Sequence, residues 1–308
     1  MMLVPITTFQ PDIDILIISL LRARTEAALK NLLTLDTVYY LCQTARSLFM
    51  SEPVVLDLST ANHKRIVVLG DIHGQYFDLL KHIDSAGIPP DTTYLVLGDY
   101  VDRGKYSIEV ACLLYALKIK YPINIYIIRG DHECSRVNRR NGFYEECVRR
   151  FGTLYVWNAF VSTFNVLPFA AIIDQSIFCV HGGLSPLLES VSQLRKIERP
   201  VDIPHEGLIR DLVWADFYEP QNGFGNNEIR DCSIVFGKQE LNRFLDANEL
   251  KLMVRGHEVV QRGFVVEGRC VTVFSACQYK GVYNNAGATL VIEPHMPLSF
   301  NVISPPAM

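Results

Sequence analysis

Asp71 and His73 stand two residues apart in Gly70-Asp71-Ile72-His73-Gly74-Gln75, a carboxylate and an imidazole between glycines. That oxygen and nitrogen ligand set suits manganese, iron or zinc. A lone pair of this kind carries little weight, but the layout recurs downstream. Gly98-Asp99-Tyr100-Val101-Asp102-Arg103-Gly104 follows, then Arg129-Gly130-Asp131-His132-Glu133, then His181-Gly182-Gly183, and finally Arg255-Gly256-His257. A carboxylate able to bridge, with Asp and His on one side and two His and a carboxyl group on the other, is the inventory of a centre holding two ions about 3.5–4 Å apart. Such a centre lowers the pKa of a shared water and stabilises the attacking and leaving oxygens of an in-line displacement. Hydrolysis of a phosphate ester also needs cations for the equatorial oxygens and an acid for the leaving group. Arg103 can supply the first. His132 can supply the second, with Asp102 orienting it.

Each of these stretches follows a short apolar run. Ile66 to Leu69 is too short and too β-branched for a helix, so it predicts a buried strand delivering Asp71 and His73. Tyr94 to Leu97 and Ile125 to Ile128 predict strands that deliver Asp99 and Asp131, with helices at Tyr76 to Ala86 and Ser107 to Tyr121 between them and Ser107 as a cap. The result is β-α-β-α-β with polar residues at the carboxyl end of each strand, the edge where open α/β sheets build their sites. Further strands at Ala170 to Ile173, Ser176 to Val180 and Lys251 to Val254 deliver His181 and His257. Helices are predicted after Asp12 and Thr34 and across Glu145 to Phe164, and a loop-rich part across Pro200 to Asn227. Strand-like runs in the tail (Val271 to Phe274, Thr289 to Ile292, Leu298 to Ile303) suggest a second sheet packed on the first. His63, His82, His205 and His295 lack a post-strand setting and are read as surface or loop residues.

The 308 residues carry a formal net charge of −4 and no long basic block, which argues against nucleic-acid and membrane partners. Eight scattered cysteines, none in a C-x-x-C pair, read as reduced intracellular thiols that fill the core. The apolar run Ile15 to Leu21 is too short to span a bilayer and lacks the basic lead-in of a signal peptide. Without a repeat or linker, the chain divides into a helical extension (1–30), one catalytic domain (31–304) and a tail (305–308).

The first four of these stretches, Gly70 to Gln75, Gly98 to Gly104, Arg129 to Glu133 and His181 to Gly183, together resemble the signatures of the serine/threonine phosphoprotein phosphatases, within the calcineurin-like metallophosphoesterases, from about Asp12 to Ser304. Arg199-Pro200-Val201-Asp202-Ile203-Pro204 and Asp211-Leu212-Val213-Trp214-Ala215-Asp216 bring it closest to type-1 catalytic subunits. The resemblance implies an α/β (α+β) fold, a central two-sheet β-sandwich flanked by helices. It implies two divalent metal ions, manganese first, with iron or zinc as the other choices. One ion would be held by Asp71, His73 and the bridging Asp99, the other by Asp99, Asp131, His181 and His257. Arg103 and Arg230 would clamp the phosphate, Tyr279 would line the site, and His132 paired with Asp102 would protonate the departing seryl or threonyl oxygen. The family attacks with metal-bound hydroxide and forms no phosphoenzyme. Its substrates are phosphoproteins, its partners regulatory subunits, and its place the cytoplasm or nucleus.

Three positions depart from the family pattern. Asp131 stands where the family has Asn, which adds a negative charge and predicts a slower enzyme. The loop Ser275 to Asn285 differs at Cys277, Gln278 and Lys280 and has Val282 and Asn284 in place of acidic residues. The segment between Gly263 and Phe274 is shorter than in type-1 enzymes. Two other readings therefore stay open: a metallophosphoesterase acting on nucleotides or other small phosphoesters, and a phosphatase-like scaffold with little or no turnover.

Overall fold

Two β-sheets face each other across an apolar layer, and helices cover both outer faces. This computed structural model describes residues 9–305. Most of the 305–308 tail and the start of the 1–30 extension lie outside the described residues.

The chain opens with α1 (Ile13–Arg22), capped by Asp12, whose Oδ1 accepts the Ile15 N–H at 3.0 Å. A short α2 (Glu26–Leu29) leads to α3 (Leu35–Ser51), capped by Thr34. Strand β1 (Val55–Leu58) precedes the central run β2 (Ile66–Leu69), α4 (Tyr76–Ala86), β3 (Thr93–Val96), α5 (Ser107–Lys120) and β4 (Ile125–Ile127). The β2 and β3 strands are buried at every position, as parallel strands covered on both faces must be. Helix α5 is buried from Ser107 to Lys118 because α1 and α3 close over it.

Ser107 is not the cap that the sequence predicts. It lies inside α5, and its hydroxyl accepts the Asp102 N–H instead. The helix start is capped from afar by Glu146, whose two carboxyl oxygens accept the N–H groups of Ser107 and Ile108. Glu146 sits on α7 (Phe143–Phe151), between α6 (Ser135–Asn138) and α8 (Tyr155–Phe164).

Strands β5 (Ala170–Ile173) and β6 (Ile177–Val180) form a hairpin, followed by α9 (Val191–Leu194) and α10 (Leu208–Trp214). The predicted loop-rich part in fact holds α10, β7 (Asp216–Phe217) and β8 (Phe224–Asn226), which join β9 (Ile234–Phe236) in a three-stranded sheet. Then come α11 (Lys238–Ala247), β10 (Leu252–Arg255), β11 (Phe264–Glu267), β12 (Cys270–Val273), β13 (Gly287–Ile292) and β14 (Ser299–Ile303).

The tail strands do not make a sheet of their own. β13 and β14 extend the first sheet, in the order β14-β13-β2-β3-β4, with β13 antiparallel to β2. β12 and β11 end the second, in the order β1-β5-β6-β10-β12-β11. Val68, Leu95 and Leu290 of one sheet meet Ala171, Cys179 and Val254 of the other in the layer between them. His82 is also not on the surface: it is fully buried on α4, with Nε2 2.8 Å from the Ser275 carbonyl.

Candidate metal centre

The parallel strands β2, β3 and β4 of one sheet and β6 and β10 of the other release their chains at a common edge of the sandwich. Asp71 and His73 follow β2, Asp99, Asp102 and Arg103 follow β3, Asp131 and His132 follow β4, His181 follows β6, and His257 follows β10. Periodicity explains the strands, but the turns after them need unusual backbone. His73, Asp99, Asp102, Arg103 and His257 all have positive φ, between 46° and 71°. Each such non-glycine residue costs about 1–3 kcal/mol, a strain that clusters at functional sites. Gly98, with φ 102°, lets the turns approach each other: a Cβ there would lie 2.3 Å from the Gly130 nitrogen.

Glu133, whose role the sequence reading missed, ties these turns together. Its buried carboxylate accepts the N–H groups of Asp99 at 2.8 Å, Gly130 at 2.9 Å and Tyr100 at 3.1 Å. Its place next to His132 was the only signal available.

The side chains converge. One ligand atom each from Asp99, Asp131, His181 and His257 lie within 4.8 Å of one another, and so do those of His73, Asp99 and His132. Asp71 Oδ2 lies 3.6 Å from His73 Nε2, while its Oδ1 accepts the His257 N–H at 2.8 Å. Backbone carbonyls aim two of the imidazoles. His73 Nδ1 faces the Val101 carbonyl at 3.0 Å and His181 Nδ1 the Leu97 carbonyl at 2.9 Å, so each Nδ1 carries the proton and each Nε2 offers a lone pair inward. His257 turns Nδ1 towards Asp131 Oδ1 at 3.1 Å, and its buried Nε2 has no hydrogen-bond partner.

The electrostatics ask for cations. Burial, and then the negative charges of Asp131, Asp71 and Glu133, push Asp99 well above the ordinary carboxylate range. Burial and the nearby Arg230 charge take His257 down to about 4, which keeps its imidazole neutral. Burial likewise lowers His73. Crowded buried carboxylates beside neutral imidazole lone pairs form a donor set that fits divalent ions.

Beside these clusters, His132 Nδ1 and Asp102 Oδ2 are 2.6 Å apart, and Asp102 Oδ1 accepts the Phe143 N–H at 2.9 Å. Burial works against a charged His132, but Asp131 and Asp102 outweigh it and raise its pKa. Arg103 is exposed at the rim, held by its N–H to the Asn141 carbonyl, with its charge felt by His132 and Tyr279. Tyr279 stacks on His73 with ring centres 5.0 Å apart. Arg230 is fastened by Asp216, Nε to Oδ2 at 2.5 Å, and donates from Nη2 to the His257 carbonyl at 2.8 Å. Asp216 also holds the buried Arg255 at 2.8 Å, an anchoring role that the sequence reading passed over.

Residues 64–261 match the calcineurin-like phosphoesterase family, and the chain belongs to it. It is a phosphoesterase whose fold and gathered ligands are those of a metallophosphoesterase. The structure is similar to that of a protein serine/threonine phosphatase from Saccharomyces cerevisiae with similarity to human phosphatase PP5: 33% identity, 90% of this chain and 91% of that chain covered, TM-score 0.84. It is also similar in fold to a cold-active protein-tyrosine phosphatase of a psychrophilic Shewanella species, at 16% identity, 82% and 83% coverage and TM-score 0.57. No helix among the described residues is long and apolar enough to cross a membrane.

Proposed function

We propose that the protein hydrolyses phosphoserine and phosphothreonine in polypeptides with two divalent ions, manganese being the first to try. The observation that carries this reading is the pair of buried ligand clusters that share Asp99. Asp71, which stands outside those clusters with Oδ2 3.6 Å from His73 Nε2, would join His73 and Asp99 on one ion and leave His132 as the acid, while Asp99, Asp131, His181 and His257 would hold the other. When bound, such a pair supplies Lewis acidity and a nucleophilic water at neutral pH.

The chain's own residues do the rest. Arg103 and Arg230 bind the phosphate oxygens, and Asp216 keeps Arg230 extended for that task. Asp102 holds the Nδ1–H of His132, so Nε2 delivers the proton to the departing seryl or threonyl oxygen. Tyr279 shields the His73 side from water. Burial raises the thiols of Cys42, Cys112, Cys179 and Cys270, which disfavours the thiolate at those four positions.

The 33% identity to the yeast serine/threonine phosphatase supports a polypeptide substrate. The test is turnover by the manganese-loaded protein on a phosphoserine peptide beside a nucleoside monophosphate. Faster hydrolysis of the peptide is expected. Preference for the nucleotide moves the chain to the small-phosphoester class, and failure on both despite bound metal leaves a scaffold.

A further inference from the structure

Next to the candidate metal centre lies a cleft of about 580 Å³ lined by Arg136, Arg139, Arg140, Arg210, His205 and Trp214. No acidic side chain among the described residues lines it, although the chain as a whole carries −4. Among the described residues, none of these four guanidiniums is within ion-pair distance of a carboxylate, whereas Arg129, Arg195 and Arg255 are. Three of them rest on backbone carbonyls or a ring face. Arg136 donates to the Ile203 carbonyl at 2.7 Å, Arg210 donates to the His205 carbonyl, and Arg139 lies 5.3 Å from the centre of the Tyr144 ring. Arg136 and Arg210 are thus held in position while their charge stays unspent.

The cleft is joined to the reaction site. The Trp214 ring lines it and meets His257 edge-on, with centroids 5.5 Å apart. Asn141, also in its lining, accepts the Arg103 N–H at 3.0 Å. An extended polypeptide rises about 3.3 Å per residue. One that places its phosphorylated residue between Arg103 and Arg230 reaches the cleft within a few residues.

We propose that this cleft is a second anion subsite, which selects phosphopeptides carrying a further acidic or phosphorylated side chain a few residues from the one being hydrolysed. The inference rests on the proposed polypeptide substrate and names its class. Planar guanidiniums suit either a carboxylate or a phosphate, and four of them in one cleft favour the doubly charged group. A nucleic-acid strand fits less well, because the cleft is short and its one indole already packs against His257.

The experiment uses the full-length metal-loaded chain and a phosphoserine peptide in which Ala, Glu or a second phosphoserine is walked along both sides of the target. At one offset the anionic peptides are expected to exceed the Ala peptide in kcat/KM by about ten- to a hundred-fold, mainly through KM. An equal gain from Glu assigns a carboxylate, and a larger gain from phosphoserine assigns a phosphate. Arg140→Glu, at an exposed position, should bring the ratio to about one or invert it; Arg140→Lys should keep most of it. Arg139→Glu serves as an independent second variant. Hydrolysis with no dependence on offset overturns this inference alone. So does a single-stranded oligonucleotide that competes better than an acidic peptide of equal charge. Failure on every phosphopeptide overturns the proposed function as well.

Discussion

Asp131→Asn keeps the side-chain shape and removes one charge, which helps to raise the pKa of His132. Asp131 Oδ1 lies 3.1 Å from both His181 Nε2 and His257 Nδ1, and Oδ2 lies 3.9 Å from His132 Nε2. In the proposed reaction the leaving oxygen would sit within hydrogen-bond reach of that same His132 nitrogen, which would put the carboxylate about 5 Å from the phosphate dianion. At an effective dielectric of about 20, one charge at that distance is worth about 3 kcal/mol. The carboxylate also neutralises part of the charge that the bound ions would otherwise direct at the substrate. Removing it should raise turnover by roughly two decades, within a range of one to three. The assay is kcat on a phosphoserine peptide at saturating manganese, with the metal content of both proteins measured. The stability of the metal-free proteins gives a readout without turnover. Burial opposes its ionisation, but His132, His257 and His181 hold the Asp131 carboxyl well below its ordinary range, so the Asn variant should unfold at a lower temperature than the wild type once both are stripped of metal. An equal or lower kcat for Asp131→Asn at full metal loading would refute the idea that this carboxylate slows the enzyme.

His132→Asn should lower kcat on a phosphoserine peptide by about two to four decades, but much less on an aryl phosphate whose leaving group needs no proton; equal losses on both would remove the acid role. Asp216→Asn removes the charge that pairs with both Arg230 and Arg255, so KM for phosphopeptide should rise about tenfold and unfolding free energy should fall by about 3 kcal/mol in urea titrations. The Glu146 carboxyl is pushed up to about 8 by burial and then by the Glu109 charge, so the folded protein keeps a proton that the unfolded chain releases near 4.5. Folding then loses stability as pH rises between those values, by at most about 1.4 kcal/mol per pH unit, and Glu146→Gln should flatten that slope in denaturation curves compared from about pH 5 to 8.

Much of the centre was legible because its strands are buried on both faces. Ile66–Leu69 and Thr93–Val96 have no solvent side, so they stand out as apolar runs, and the polar residues beyond them mark the sheet edge. What stayed hidden depends on partners distant in sequence. Periodicity identifies β12 and β13 as strands, but their sheet is decided by pairing with β10 and with β2. Ser107 has the chemistry of a cap, yet Glu146 displaced it by supplying a carboxyl group from another helix. His82 looked like a polar residue on a helix surface until the Ser275 carbonyl gave its ring a buried partner. Asp216 and Glu133 were hidden in the same way, since one acts on two arginines and the other on three backbone amides, and neither belongs to the gathered ligand clusters.

The backbone around the centre explains why these supporting residues matter. Five candidate site residues sit at positive φ without being glycine, a conformation that the chain would leave if nothing opposed it. Glu133 opposes it at Asp99, and the Leu97 and Val101 carbonyls fix His181 and His73 from behind. The gathered donors are therefore held in place by hydrogen bonds that already exist among the protein's own groups. Ions entering such a site relieve the repulsion among Asp71, Asp99 and Asp131 without having to rebuild the turns. Divalent metal should accordingly raise the unfolding temperature strongly while leaving the far-ultraviolet circular dichroism unchanged. A large gain in secondary structure on adding metal would mean that the centre is assembled by the ions and not by the fold.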